Sequence, residues 1–394
     1  MLGHATVARR GLLAAASCLL LVLGSPAVVG WEGSASTSGG DDDGRLPPTL
    51  DRTYAPEPDG ITEPRVAWTK SPGNPLLTPG PAGAWDQTAV HYVNVILEAG
   101  GFRMWYGGCT GDLCSIGYAT SPDGLSWTRY PGNPVLSYVP GTWENTIGNP
   151  YVIKDGDVYR MWYAGNGPCC IQLGYATSPD GIQWARNDGP VLTPGYGWDS
   201  YTISTPVVAR EGASFTMWYS GASSGLTFYM GRATSSDGRN WTRNPANPIL
   251  SPAFAWEGSR VHPAQVTINA GSYEMFYTAD LDYVQIGRAV STDGVIWARS
   301  PSTPVLSPTP GTWDAGRLGD VSVVDTPQGR RLWYVGLGNS GWGIGGAWEP
   351  GSALPDASWF DLPPMVLGVL GAGVGAAVGA GFGFLAQWLR RRRK

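Results

Sequence analysis

Four stretches decide the fold: SPDGLSW (Ser121 to Trp127), SPDGIQW (Ser178 to Trp184), SSDGRNW (Ser235 to Trp241) and STDGVIW (Ser291 to Trp297). Their tryptophans are 57, 57 and 56 residues apart, a regular internal repeat, and such a period outranks every other signal for fold. Two further markers recur in step, five times each. One is an aromatic pair: Trp105-Tyr106, Trp162-Tyr163, Trp218-Tyr219, Phe276-Tyr277 and Trp333-Tyr334. The other is Trp followed by an acid: Trp85-Asp86, Trp143-Glu144, Trp198-Asp199, Trp256-Glu257 and Trp313-Asp314.

Between the markers lie short β-rich runs, such as Val158 to Ala164, separated by Gly or Asp-Gly turns, about four strands to a unit. Five such units predict an all-β, five-bladed β-propeller over residues 64–350. Unit five lacks its own DGxxW strand. A matching strand stands ahead of unit one as Arg65-Val66-Ala67-Trp68-Thr69, so the N-terminal strand is expected to complete the last blade and close the ring, leaving few edges. Asp123, Asp180, Asp237 and Asp293 read as turn residues, because Asp-Gly suits tight hairpins.

Composition agrees. Of 394 residues, Gly 57 and Pro 33 argue against a mainly helical protein, and Trp 19 and Tyr 18 are in excess while only 14% are charged. The net charge is -5, and the cations Arg9, Arg10 and Arg390 to Lys394 sit at the two ends, so the body between them is more acidic still. That excludes nucleic acid as the expected partner, since phosphate binding needs clustered Lys and Arg.

Both ends read as topogenic. Residues 1–27 form a signal peptide, with Arg9 and Arg10 before an apolar run and Ser25-Pro26-Ala27 after it. Cys18 lies inside that run, which disfavours lipidation there. Residues 28–63, with Ser-Gly runs and Asp41-Asp42-Asp43, read as a flexible stalk. After a linker at 351–364, Met365 to Leu389 is a charge-free run long enough for one C-terminal transmembrane helix, and 390–394 is a basic cytoplasmic tail. This predicts a single-pass cell-membrane protein with the propeller extracellular. Gly371, Gly375, Gly379 and Gly383 share one helical face and suggest self-association. Leu354-Pro355 before the span has the order of a sortase substrate but lacks the Thr and Gly.

Five blades with MWY strands resemble the five-bladed propeller glycosidase superfamily of arabinanases, invertases, levansucrases and mannoside phosphorylases, over Arg65 to Trp348. The resemblance implies a glycoside-hydrolase-like activity and a carbohydrate ligand in a central funnel. In such enzymes a catalytic carboxylate commonly precedes a proline at the start of the innermost strand. Here Pro150, Pro206 and Pro263 are present, but Asn149, Thr205 and His262 stand before them.

Counting six or seven residues on from each Trp-acid pair gives a ring of His91, Asn149, Thr205, His262 and Asp320. Glycoside hydrolysis ordinarily needs two carboxyl groups, and this ring offers one. The catalytic candidates are therefore Asp320, His91 and His262, with Glu257 and Asp86 as the acids that flank the histidines. Asn149, Thr205, Arg260 and Arg317 are candidates for substrate binding, the arginines for a carboxylate or sulfate. His91, His262 and Asp320 also compose a conceivable divalent-metal set. The rival readings are a non-catalytic propeller for adhesion or binding, and a metal-dependent enzyme built on that set. Cys109, Cys114, Cys169 and Cys170 are disulfide candidates with three pairings open.

Overall fold

The computed structural model describes residues 68–223, 227–269, 271–279 and 284–349. The signal, stalk, transmembrane helix, its glycine face and the basic tail lie outside them. Among the described residues no helix is long and apolar enough to cross a membrane.

A short strand, β1 (Thr69–Lys70), precedes four complete blades. Blade one is β2 (Ala89–Glu98), β3 (Gly101–Thr110), β4 (Leu113–Ser121) and β5 (Thr128–Arg129). Blade two is β6 (Thr146–Asp155), β7 (Val158–Asn166), β8 (Ile171–Ser178) and β9 (Ala185–Arg186). Blade three is β10 (Thr202–Glu211), β11 (Ser214–Ala222), β12 (Tyr229–Ser235) and β13 (Thr242–Arg243). Blade four is β14 (Val261–Asn269), β15 (Ser272–Ala279), β16 (Gln285–Ser291) and β17 (Ala298–Arg299). Blade five has β18 (Arg317–Thr326), β19 (Gly329–Gly338) and β20 (Gly341–Trp348), and takes its fourth strand from the front of the chain. There β1 pairs antiparallel with β20, Thr69 opposite Trp348 and Lys70 opposite Ala347, so the ring closes as the repeat predicts.

The three sequence markers act together. Each acid of a Trp-acid pair is buried and accepts a hydrogen bond from the tyrosine of the aromatic pair: Tyr106 to Asp86, Tyr163 to Glu144, Tyr219 to Asp199, Tyr277 to Glu257 and Tyr334 to Asp314. Each also pairs with a cation two residues beyond the blade's outer tryptophan: Arg129, Arg186, Arg243 and Arg299, then Lys70. Lys70, delivered by β1, is thus the fifth member of an arginine series, 2.6 Å from Asp314.

The Asp-Gly turns join one blade to the next. The Asp180 carboxylate accepts the amides of Gln183 and Ile182, which hold it below the usual carboxylate range, and Ser178 accepts the amide of Gly181. The turn carbonyl then faces the preceding blade: Trp105 donates to Gly181, Trp162 to Gly238, Trp218 to Gly294 and Trp333 to Gly124, at 2.8–2.9 Å. Gly124 is required twice, by its φ of 74° and because a Cβ there would stand 2.8 Å from Trp333. Between blades four and five no such turn is described, and the donor is missing too. Phe276 replaces tryptophan and packs edge-on against Trp68, centroids 6.0 Å apart.

Breaking the fifth clamp has a definite expected cost. Lys70→Ala leaves the Asp314 carboxylate, 1% exposed, with neutral donors but no cation, and losing one partner of such a pair costs on the order of 3 kcal/mol. Thermal melts followed by circular dichroism should show a drop of several degrees for Lys70→Ala and for deletion of residues 65–70. Lys70→Arg and deletion of residues 31–60 should melt like the parent. Equal effects of the two deletions would contradict closure by β1.

Candidate functional site

The inner strands β2, β6, β10, β14 and β18 contact one another around the axis. All five carry a β-bulge near their start. Asn94, Tyr151, Val207, Gln265 and Ser322 are equivalent, each opposite the first aromatic of its pair. The residues two places earlier form the ring, and they are Tyr92, Asn149, Thr205, Pro263 and Asp320. Four of them adopt left-handed backbone, with φ of 57° at Tyr92, 48° at Asn149, 47° at Thr205 and 23° at Asp320. Proline fixes the fifth at negative φ. Non-glycine residues in this region cost about 1–3 kcal/mol each and concentrate at functional sites.

This corrects the ring expected from sequence. Tyr92 replaces His91, and Pro263 replaces His262, because the loop between the Trp-acid pair and the bulge varies by one residue. The two histidines still share a register with each other, that of Gly148, Ser204 and Gly319, one residue before the ring. Where other blades have a small residue, blades one and four place an imidazole in the wall.

Above the ring is a cavity of about 190 Å³, lined by His91, Tyr92, Asn149, Thr205, His262, Asp320, Arg260 and Arg317, with Phe228, Trp342 and Cys114. Across the axis Gln265 of β14 donates to the Tyr151 hydroxyl of β6, 3.2 Å away, a contact that spans the channel beyond the ring. Among the described residues, Asp320 is the one carboxylate lining this funnel. Burial pushes its carboxyl up to about 7, although the Tyr92 amide donates to it and opposes the shift. Burial pushes His91 down to about 3, and burial with the Arg260 charge does the same to His262, so both imidazoles are neutral. Burial, and then the nearby Asp320 charge, also raise the Tyr92 phenol. The funnel therefore holds one carboxyl that burial makes far more reluctant to give up its proton than an ordinary carboxyl, among neutral imidazoles.

The other predicted residues divide clearly. Asp86 and Glu257 are not in the funnel lining; they belong to the tyrosine and arginine clamps, as recurrence in all five blades requires of a structural group. Thr205 shares a hydrogen bond with Ser220 at 2.5 Å. Arg260 lies over the Phe228 ring at 5.5 Å, and that ring also meets His262 at 4.9 Å. The His262 Nδ1 atom finds no hydrogen-bond partner among the described residues.

Of the three cysteine pairings, the structure has Cys109–Cys114, a bridge within the blade-one hairpin. Cys169 is exposed, and among the described residues it forms no disulfide. The metal set expected from sequence is not assembled. The group of metal-capable atoms among the described residues is His91 with Cys109 and Cys114, within 4.8 Å of one another, and it includes neither His262 nor Asp320. Tyr92, Phe228 and Trp342 are funnel residues that sequence reasoning missed. For Tyr92 the usable signal was the distance to the aromatic pair rather than to the Trp-acid pair.

No family model matches the chain. An uncharacterized protein of Mycobacterium tuberculosis is 29% identical over 226 residues, 53% of this chain and 73% of that one. A 1,2-beta-oligomannan phosphorylase of a Thermoanaerobacter species is 26% identical over 203 residues, 48% of this chain and 64% of the enzyme, so the chain spans less than two thirds of that relative. Among solved structures, one from work on mannoside phosphorylases and glycoside hydrolases that target β-1,2 mannosidic linkages superposes with a TM-score of 0.59, at 17% identity, over 75% of this chain and 99% of that one. The chain thus has the five-bladed propeller fold of glycoside hydrolases and phosphorylases, with sequence similarity to a mannoside phosphorylase over about half its length.

Proposed function

We propose that the funnel binds a glycan, a mannoside first among candidates, and that Asp320 donates the proton that frees the leaving sugar oxygen. The observation that carries this reading is a carboxyl held at about 7, on strained backbone, in the same funnel as Arg260 and Arg317. A general acid works best with its pKa near the working pH. In the scheme that fits these groups, the arginines orient inorganic phosphate, whose oxygen attacks the anomeric carbon. The glycosidic C–O bond breaks, the departing oxygen takes the Asp320 proton, and the products are a sugar 1-phosphate and a shortened glycan. An anionic nucleophile needs no second carboxylate as base, in contrast to hydrolysis. Similarity to a 1,2-beta-oligomannan phosphorylase supports phosphate as the acceptor.

Incubation with β-1,2-linked mannobiose and phosphate should yield mannose 1-phosphate. Asp320→Asn should lower the rate by roughly 10²–10⁴, the usual worth of general acid catalysis, while leaving the circular dichroism spectrum unchanged. Free mannose formed without phosphate would replace phosphorolysis by hydrolysis; binding on a glycan array with no product would make the funnel a recognition site. The rate should fall as pH rises through about 7, because deprotonated Asp320 has no proton to give. A rising limb over that range would exclude Asp320 as the acid.

The same proposal places the propeller outside the cell, exported by residues 1–27 and held by Met365 to Leu389. A chain ending at Pro363 should leave the membrane fraction and be recovered in soluble form. Its retention in the membrane would point to an anchor elsewhere, Cys18 first.

A further inference from the structure

Three strands of blade one bring His91, Cys109 and Cys114 to one corner of the funnel wall. Cys109 in β3 lies directly opposite Ala89 of β2 on one side and Cys114 of β4 on the other. His91 is two residues on from Ala89, hence on the same face of the sheet and a diagonal neighbour of Cys109. Its Nε2 is 2.7 Å from Cys109 Sγ and 3.8 Å from Cys114 Sγ. All three are buried, at 3%, 2% and 6% exposure, while His91 and Cys114 face the cavity. Trp342, from blade five, packs over the group.

We propose that reduction of the Cys109–Cys114 bridge turns this corner into a Cys2His site for a thiophilic divalent cation such as Zn2+, with its fourth coordination position open to the funnel. The reductant is a dithiol or a phosphine. It supplies two electrons, the S–S bond breaks into two thiols, and the reductant leaves as its disulfide or phosphine oxide. The cation then displaces both thiol protons, and two thiolates with one neutral imidazole balance its charge. Two facts favour it. The nitrogen and both sulfurs already lie within 4.8 Å of one another, and bonding to one ion at about 2.0–2.3 Å needs only small side-chain rotations. The His91 ring stacks on Tyr92 with centroids 3.9 Å apart, which holds its orientation. Three protein ligands and one open position make a site that accepts a small ligand from the funnel. This ligand set is separate from the proton donor Asp320 and stands or falls independently of it.

Cobalt is a suitable probe, because thiolate ligation gives a sulfur-to-metal charge-transfer band and tetrahedral sites give intense visible bands. The full-length protein carrying Cys169→Ser and Cys170→Ser, reduced with a phosphine under argon, should take up one Co2+ per chain with both spectral features. The oxidised protein should not. Cys114→Ser should remove the charge-transfer intensity in large part, and His91→Ala should weaken uptake roughly tenfold or more, since even groups that merely support a ligand are worth 10–100-fold. The proposal is overturned if the reduced protein takes up no cobalt, if the oxidised protein binds it equally, or if uptake survives both substitutions. Loss of the circular dichroism spectrum on reduction would overturn it as well, because the site requires the wall to keep its shape.

Discussion

A buried carboxylate held between a tyrosine hydroxyl and a cation recurs in every blade, and the remaining structure is arranged around it. The acid comes from the loop that leads into the inner strand, the tyrosine from the second strand and the cation from the outermost. One ion therefore fixes the inner and outer edges of a blade relative to each other. Taking a carboxylate out of water is costly unless its partners are in place, so each blade is satisfied only in its complete, four-stranded form. In blade five the completing cation is Lys70, some 244 residues from its partner Asp314. Ring closure is thus enforced by charge as well as by the two residue pairs of β1 and β20.

The architecture was legible because repetition multiplies a weak signal. One SPDGLSW segment is a turn; four at even spacing, in step with five aromatic pairs, leave few folds to choose from. Lys70 was equally readable in principle, since Trp68-Thr69-Lys70 matches Trp127-Thr128-Arg129, yet the cation is defined by its partner and the partner appears only in three dimensions. The site was less legible for a physical reason. A bulge inserts one residue at a place the flanking loop does not announce, and one residue is enough to exchange His91 for Tyr92. Cysteine pairing was likewise hidden, because it depends on which residues of a hairpin stand opposite one another.

The funnel inherits its character from its rigid frame. Bulged, left-handed backbone at Tyr92, Asn149, Thr205 and Asp320 persists because inner strands on both sides hold it. Neutral imidazoles and aromatic walls keep the floor poorly solvated, and that environment is what raises Asp320. The protonation of one carboxyl is therefore a property of the whole ring, set by the packing of five blades rather than by any one neighbour.

The junction between blades four and five is chemically unlike the other four. It has Phe276 against Trp68 in place of an indole N–H on a turn carbonyl, and its outer strand belongs to the opposite end of the domain. During synthesis the front strand emerges first and has no partner until residue 348 has been made, so the propeller stays an open, unsealed array through almost the whole of its own translation. A chain ending before Phe276 would leave Lys70 and Trp68 without their partners. The seam thereby leaves an unfinished molecule with β1 as an unpaired strand.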